Sequence, residues 1–227
     1  YFDTAPAYGD GLSESNLGMV LDTIEIQPLV STKVTLRWQD MSDIRGAVQR
    51  SVEASLSRLR RSSVDVIQLH TQISSGSRSR IAAETIDLNK VLGPHGVADA
   101  FDTIRSMGLA RFAGFTAIGD TSALLKVIDS GRFDVLQAYY NLLNPSAGIS
   151  LSNGFVGQDF QGIINRAEEN GIGVIGIRVL AGGALCGAIA RSHPAARIVA
   201  GSLVSGAEYD EDARRAKKLG FLLGKDV

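Results

Sequence analysis

Apolar positions along this chain recur with two alternating periods. Short β-branched and apolar runs over residues 1–3, 29–34, 64–70, 111–116, 134–138 and 173–178 read as strands. Between them lie stretches with the 3.6-residue period of helices that face a core. The plainest covers residues 42–60, where Ile44, Val48, Val52, Leu56 and Leu59 share one face. Val97, Phe101 and Ile104 open a second helix, closed by Gly108 where a left-handed residue ends the coil. Thr121 or Ser122 is placed to cap a third, which stops at Gly131. Phe160, Ile163, Ile164 and Ala167 mark a fourth, stopping at Gly171, and a last helix is expected from about residue 208 to 223.

Repeated β-α-β units imply a parallel sheet with helical crossovers, because parallel neighbours cannot be joined by a tight turn. A doubly wound sheet and a closed barrel both meet that pattern. Six strands are counted and a closed barrel of this type needs eight, so either the sheet is open or two strands are absent from the sequence shown. Two connections are long and without period, residues 71–96 and 142–157. Each follows a strand and so stands above its carboxyl end, where such loops form lids and specificity walls.

Composition narrows the class. Of 227 residues, 44% are hydrophobic and 21% charged, as in an ordinary globular domain. The net charge is -1 with no basic cluster, which argues against a nucleic-acid partner. Arg214, Arg215, Lys217 and Lys218 follow Glu208, Asp210, Glu211 and Asp212, the pattern of a solvated helix face. No apolar run reaches the roughly 18–20 residues of a membrane span. Cys186 is the single cysteine, so no intrachain disulfide forms; a cytoplasmic setting is expected, with Cys186 a small buried residue. The chain opens within a strand and shows no secretory signal, as a sequence lacking its natural beginning would.

The polar residues carry the chemistry. Asp3, Lys33, His70, Thr116, Gln137 and Arg178 each fall at or near the carboxyl end of a different candidate strand, the catalytic end of parallel β/α folds. Tyr8 follows on the loop after Asp3. A cation beside a phenol favours the phenolate, and a carboxylate beside that cation keeps it charged and aimed. A histidine can place an incoming carbonyl oxygen. By contrast, His95 and His193 have no such company and read as structural or surface residues, and Arg78 and Arg80 as loop solvation.

These motifs resemble the aldo-keto reductase family. The run Phe2-Asp3-Thr4-Ala5-Pro6-Ala7-Tyr8-Gly9, followed by Gly11-Leu12-Ser13-Glu14 and Leu17-Gly18, is similar to its first signature. Ser31-Thr32-Lys33-Val34 resembles the lysine motif, Asp65 to His70 the histidine strand, and Gln137 with Tyr140-Asn141-Leu142 the strand whose glutamine meets a nicotinamide. The resemblance implies a (β/α)8 TIM barrel, here one domain over residues 1–227 that lacks the first strand and the eighth strand with its C-terminal segment. It also implies Tyr8 as general acid or base, tuned by Lys33 and Asp3, with His70 orienting the carbonyl and no metal required. The implied cofactor is NADP, with NAD also possible, held by Asp3, Thr116, Gln137, Arg178, Leu180 and Gly182. The implied partner is a small aldehyde, ketone or sugar-like alcohol; oligomeric state is not set by any of these motifs.

Two segments depart from the family pattern. Thr116-Ala117 stands where many members have Ser-Asn, and Arg178 where many have an aromatic residue that stacks on the nicotinamide; a guanidinium can stack there or pair with an anion. The backbone of Leu180-Ala181-Gly182-Gly183 is available for a pyrophosphate. Two other readings remain open at this point: a barrel lyase in which Lys33 forms a Schiff base, and a cofactor-binding regulatory protein with little turnover.

Overall fold

The computed structural model describes residues 1–76, 85–151, 154–155, 157–186 and 209–222. The chain runs through β1 (Phe2–Asp3), α1 (Leu12–Leu21), β2 (Val30–Val34), α2 (Ile44–Leu59), β3 (Val64–Leu69), β4 (Gln72–Ser74) and β5 (Thr85–Asp87). It continues with α3 (Leu88–Leu92), α4 (Val97–Ser106), β6 (Ala110–Thr116), α5 (Thr121–Asp129), β7 (Val135–Tyr139), α6 (Ile163–Glu169), β8 (Gly173–Ile177) and α7 (Tyr209–Lys217). Six strands form one sheet in the order β1-β2-β3-β6-β7-β8, which is chain order. The pairings from β1 through β7 are parallel. These are the six strands the apolar runs predict, in the strand–helix succession of the (β/α)8 barrel class.

Two compact units divide the chain, Tyr1–Gln137 with Arg166–Ile175, and Ala138–Asn165 with Gly176–Val227. In the first, the periodic face of α2 (Ile44, Val48, Val52, Leu56 and Leu59) is buried. Each such side chain contributes about 1.5–3 kcal/mol on leaving water. Asp43 caps this helix by accepting from the Gly46 N–H at 2.9 Å, and Arg60, at φ 54°, ends it in the left-handed conformation. Phe133 joins the layers, edge-on to Phe101 at 6.3 Å and to Phe115 at 5.3 Å between ring centroids. In the second unit, Leu143, Ala184 and Ala216 form a small core and Tyr139 meets Phe160 edge-on at 6.1 Å.

Several expectations need correction. Helix α1 has no counterpart in the periodicity reading, because its apolar residues are spread around it and Leu12, Met19 and Val20 are exposed. The connection over residues 71–96 is not merely loop: β4 and β5 pair in parallel, with Ile73 and Ile86 fully buried, and α3 follows. Strands of three residues are too short to show a period. The cap position of α5 is Asp120 rather than Thr121 or Ser122, and its carboxylate accepts from the Ser75 N–H at 2.8 Å instead of capping the helix. Phe160 precedes α6 instead of belonging to it. Cys186, expected to be buried, is exposed.

The last helix is only partly a solvated face. Asp212 is buried, and Arg215 donates to the Leu143 carbonyl at 2.7 Å. Arg78, Arg80 and His193 lie outside the described residues. No helix among the described residues is long and apolar enough to cross a membrane.

Candidate active site

Period two along a strand sends alternate side chains to one face. On this sheet that face is polar: Ser31 and Lys33 on β2, Gln68 on β3 with His70 just beyond it, Thr116 on β6 and Gln137 on β7. Ser31, Lys33 and Gln68 are fully buried, and Thr116 and Gln137 nearly so. Bulky apolar residues ordinarily fill such positions in a β/α barrel, so this polar layer marks where packing has yielded to chemistry.

Lys33 is its centre. Its ammonium donates to Asp3 Oδ2 at 2.6 Å, to the Thr4 carbonyl at 2.9 Å and to the Tyr8 phenolic oxygen at 3.3 Å. An ammonium has three protons, and these are its three acceptors. Tyr8 must therefore accept from Lys33 through its oxygen, which leaves its own O–H to point elsewhere. Tyr8 as a residue is 41% exposed, so that proton is within reach of an incoming molecule. Lys33 also stands 4.8 Å from the Tyr8 ring centroid, a favourable cation–π separation.

His70 closes the group, its ring edge-on to Tyr8 with centroids 6.0 Å apart. Burial, followed by the nearby Lys33 charge, pushes its imidazole down to about 4, against a smaller opposing effect of Asp3. Near neutral pH it is uncharged, with one N–H to donate and one nitrogen to accept. Thus Asp3, Tyr8, Lys33 and His70, from four segments of the first unit, lie together.

The first unit also places Thr116 and Gln137 in register on neighbouring strands. Gln137 donates its amide to Asp3 Oδ1 at 2.7 Å, so it belongs to the same hydrogen-bond network. The Thr116 hydroxyl is buried and has no hydrogen-bond partner among the described residues. An unsatisfied buried hydroxyl calls for an explanation, and a polar group arriving at the strand end supplies one. A carboxamide, both donor and acceptor, fits this pair.

Gln68, Ser31 and Glu14 enter the network without having been singled out from sequence. Gln68 donates to Ser31 Oγ at 2.7 Å and, more weakly, to Asp3 Oδ1 at 3.4 Å. Its spacing two residues before His70 is the signal that places it on the site face. Glu14, fully buried, accepts from Thr32 Oγ1 at 2.5 Å and from Arg58 Nε at 2.7 Å, bracing the segment beside Lys33.

The sequence profile described as "Aldo/keto reductase family" matches residues 1–216. The chain belongs to the aldo/keto reductase family. An L-galactose dehydrogenase from Arabidopsis thaliana is 29% identical over 192 residues, 82% of this chain and 52% of that protein. The chain therefore spans about half the length of that curated relative. Among solved structures, a glycerol dehydrogenase from Gluconobacter oxydans superposes with a TM-score of 0.62 at 20% identity, covering 98% of this chain and 64% of that one. An aldo/keto reductase from Klebsiella pneumoniae, solved in complex with NADP and acetate, gives a TM-score of 0.55 at 21% identity, covering 80% and 53%. At these identities the superpositions establish the fold.

The remaining positions of this aldo/keto reductase lie in its second unit. Arg178, at φ 58°, holds its guanidinium 5.8 Å from the Tyr139 ring centroid, and its carbonyl accepts from Asn141 Nδ2 at 3.1 Å. Gly182 and Gly183 take consecutive positive φ values of 67° and 102°, which residues with a Cβ adopt only under strain. Within that turn the Ala181 N–H donates to the Arg178 carbonyl and the Gly183 N–H to the Leu180 carbonyl, both at 2.8 Å. Leu180 lines a cavity of about 850 Å³ with Tyr140, Val179 and Leu222. Among the described residues no cluster of three or more His, Cys, Asp or Glu side chains is arranged as a metal site.

Proposed function

We propose that this chain carries the catalytic machinery of a cytoplasmic NAD(P)(H)-dependent oxidoreductase acting on small aldehydes, ketones or sugar-like alcohols. A nicotinamide cofactor, most commonly NADP in this family, would supply or accept the hydride. In the reduction direction Tyr8 gives its proton to the carbonyl oxygen, and the charge left on the phenolic oxygen is met by the Lys33 ammonium. Asp3 holds that ammonium in place, and the neutral His70 donates to the carbonyl oxygen and orients it. In oxidation Tyr8 takes the hydroxyl proton back. Thr116 and Gln137 in the first unit are the residues suited to the carboxamide. Arg178, Leu180 and Gly182 in the second are assigned to the cofactor by motif resemblance.

The observation that carries this reading is the 3.3 Å contact between Lys33 Nζ and the Tyr8 oxygen, with the other two ammonium protons already engaged. It also disfavours a Schiff-base lysine, which needs a nitrogen lone pair where this one has three acceptors. The test follows nicotinamide absorbance over a panel of carbonyls and alcohols with NADP(H) and NAD(H), in the intact protein and in Tyr8→Phe. Turnover in the first and a loss of roughly two or more orders of magnitude in the second are expected. Cofactor binding with no substrate-dependent absorbance change would point instead to a regulatory protein. Covalent trapping of Lys33 by borohydride would point to a lyase.

A further inference from the structure

Beneath these four groups sits a buried polar residue that the reaction as described does not use. Gln68 is fully buried on β3, with its amide nitrogen on Asp3 and Ser31. Its carbonyl oxygen, Oε1, is buried and has no hydrogen-bond partner among the described residues. An apolar side chain of similar shape would avoid that penalty, and branched apolar residues are the usual filling at such a position. Retention of an amide at a cost in stability points to work done by its N–H groups.

The surroundings agree. Gly114 is the register partner of Gln68 on β6, and a Cβ there would stand 3.2 Å from Gln68 Cγ and 2.7 Å from the Val135 carbonyl. The missing side chain leaves room for the glutamine to lie across the strand. Turning the amide over would aim Oε1 at the Asp3 carboxylate, so the observed orientation is the one an ionised Asp3 selects. Two amides thus converge on Asp3 Oδ1, Gln137 at 2.7 Å and Gln68 at 3.4 Å, while Lys33 holds Oδ2. In the proposed function Gln137 also serves the carboxamide, whereas Gln68 has no second task.

We propose that Gln68 is a positioning residue that fixes the carboxylate of Asp3 and, through it, aims the Lys33 ammonium at the Tyr8 oxygen. This rests on the role proposed for Tyr8. A carboxylate held less firmly pivots and carries the ammonium with it, and the 3.3 Å contact to Tyr8 has little length to spare. Displacements on the order of 1 Å at a reacting group lower rates by up to about a hundredfold.

The test compares Gln68→Met, Gln68→Glu and Tyr8→Phe in the intact protein. Methionine keeps the length and removes both the donor and the orphaned carbonyl. Its melting temperature should equal or exceed that of the wild type while kcat falls about tenfold or more, with KM within about threefold. In Gln68→Glu at pH 8 the introduced carboxylate competes with Asp3 for Lys33, and activity stays at or below that of Gln68→Met. Near pH 6 burial and the Asp3 carboxylate, against the opposing pull of Lys33, keep the introduced carboxyl protonated, and its single O–H can replace the donation to Asp3 though not the one to Ser31; activity relative to wild type should recover about threefold or more. Wild-type kcat in Gln68→Met, a melting point well below wild type in that variant, or equal losses in both Gln68 variants at both pH values would each overturn the positioning role. Wild-type turnover in Tyr8→Phe would instead overturn the reading of Tyr8.

Discussion

Asp3 and Lys33 meet at 2.6 Å, the ammonium fully buried and the carboxylate side chain 27% exposed. A buried ion pair is a weak source of stability, because desolvation offsets most of the attraction. Its value here is geometric: with Asp3 and the Thr4 carbonyl occupied, the third ammonium proton has one destination, the Tyr8 oxygen.

We therefore expect Lys33→Met to lower kcat by at least about a hundredfold, and Lys33→Arg to fail to restore it. A guanidinium is planar and cannot direct three donors tetrahedrally from one nitrogen. Steady-state kinetics of both variants decide this; an active arginine variant would show that charge alone suffices.

His70 gives a signed pH dependence. In the folded state its imidazole resists protonation down to about pH 4, whereas an unfolded histidine takes a proton near 6.5. Between those values the unfolded state binds more protons, so stability rises with pH. The contribution is complete above about pH 6.5 and is lost as pH falls towards 4, by up to about 3 kcal/mol. We expect His70→Gln to depend less steeply on pH across this window. Urea midpoints at pH 7 and pH 4.5 measure it, and parallel slopes in the two proteins would rule it out.

Glu14 predicts a contrast between ion pairs. Replacing it by alanine leaves the Thr32 hydroxyl buried without its acceptor and takes the carboxylate from Arg58, whose side chain is 30% exposed, which should cost about 1–3 kcal/mol. The Asp22–Arg60 pair is as short, at 2.8 Å, but both side chains are about half exposed, so Asp22→Ala should cost less than about 1 kcal/mol. Chemical denaturation of the two variants tests the ranking.

Gly18 tests how closely α1 approaches the end of α2. A Cβ there would run into the Arg58 carbonyl oxygen and stand 2.9 Å from that of Leu59. These are backbone atoms and cannot rotate aside. Gly18→Ala should destabilise by about 1–3 kcal/mol, although alanine is the better helix former. A stabilised variant in thermal melts would contradict the close approach.

Much of this was legible in the residues. The six sheet strands follow from short apolar and β-branched runs, and α2, α4 and α5 from the 3.6-residue period, because each of these helices buries one face. Of the four residues proposed for catalysis, Asp3, Lys33 and His70 follow from their places at strand ends and Tyr8 from the loop after the first of them. Hidden from that reading were α1, whose apolar residues do not segregate, and β4 and β5, too short to repeat. The residues favour Thr121 or Ser122 over Asp120 as the cap, because nothing in the sequence places the Asp120 carboxylate on Ser75. Gln68 was hidden differently: it lies within the histidine motif, but the orphaned carbonyl that singles it out exists only once neighbouring strands surround it.

The seam between Ile73 and Gly119 has a bearing on changing what this site accepts. Ile73 donates to the Ile118 carbonyl at 2.9 Å and accepts from the Asp120 N–H at 2.8 Å, and at Gly119 any Cβ would collide with the Ile73 backbone. The stretch leaving His70 is consequently riveted to the next β/α turn at Ile73 and Ser75. A foreign segment spliced in directly after His70 would tear out those fastenings, whereas one joined beyond Ser75 would inherit them.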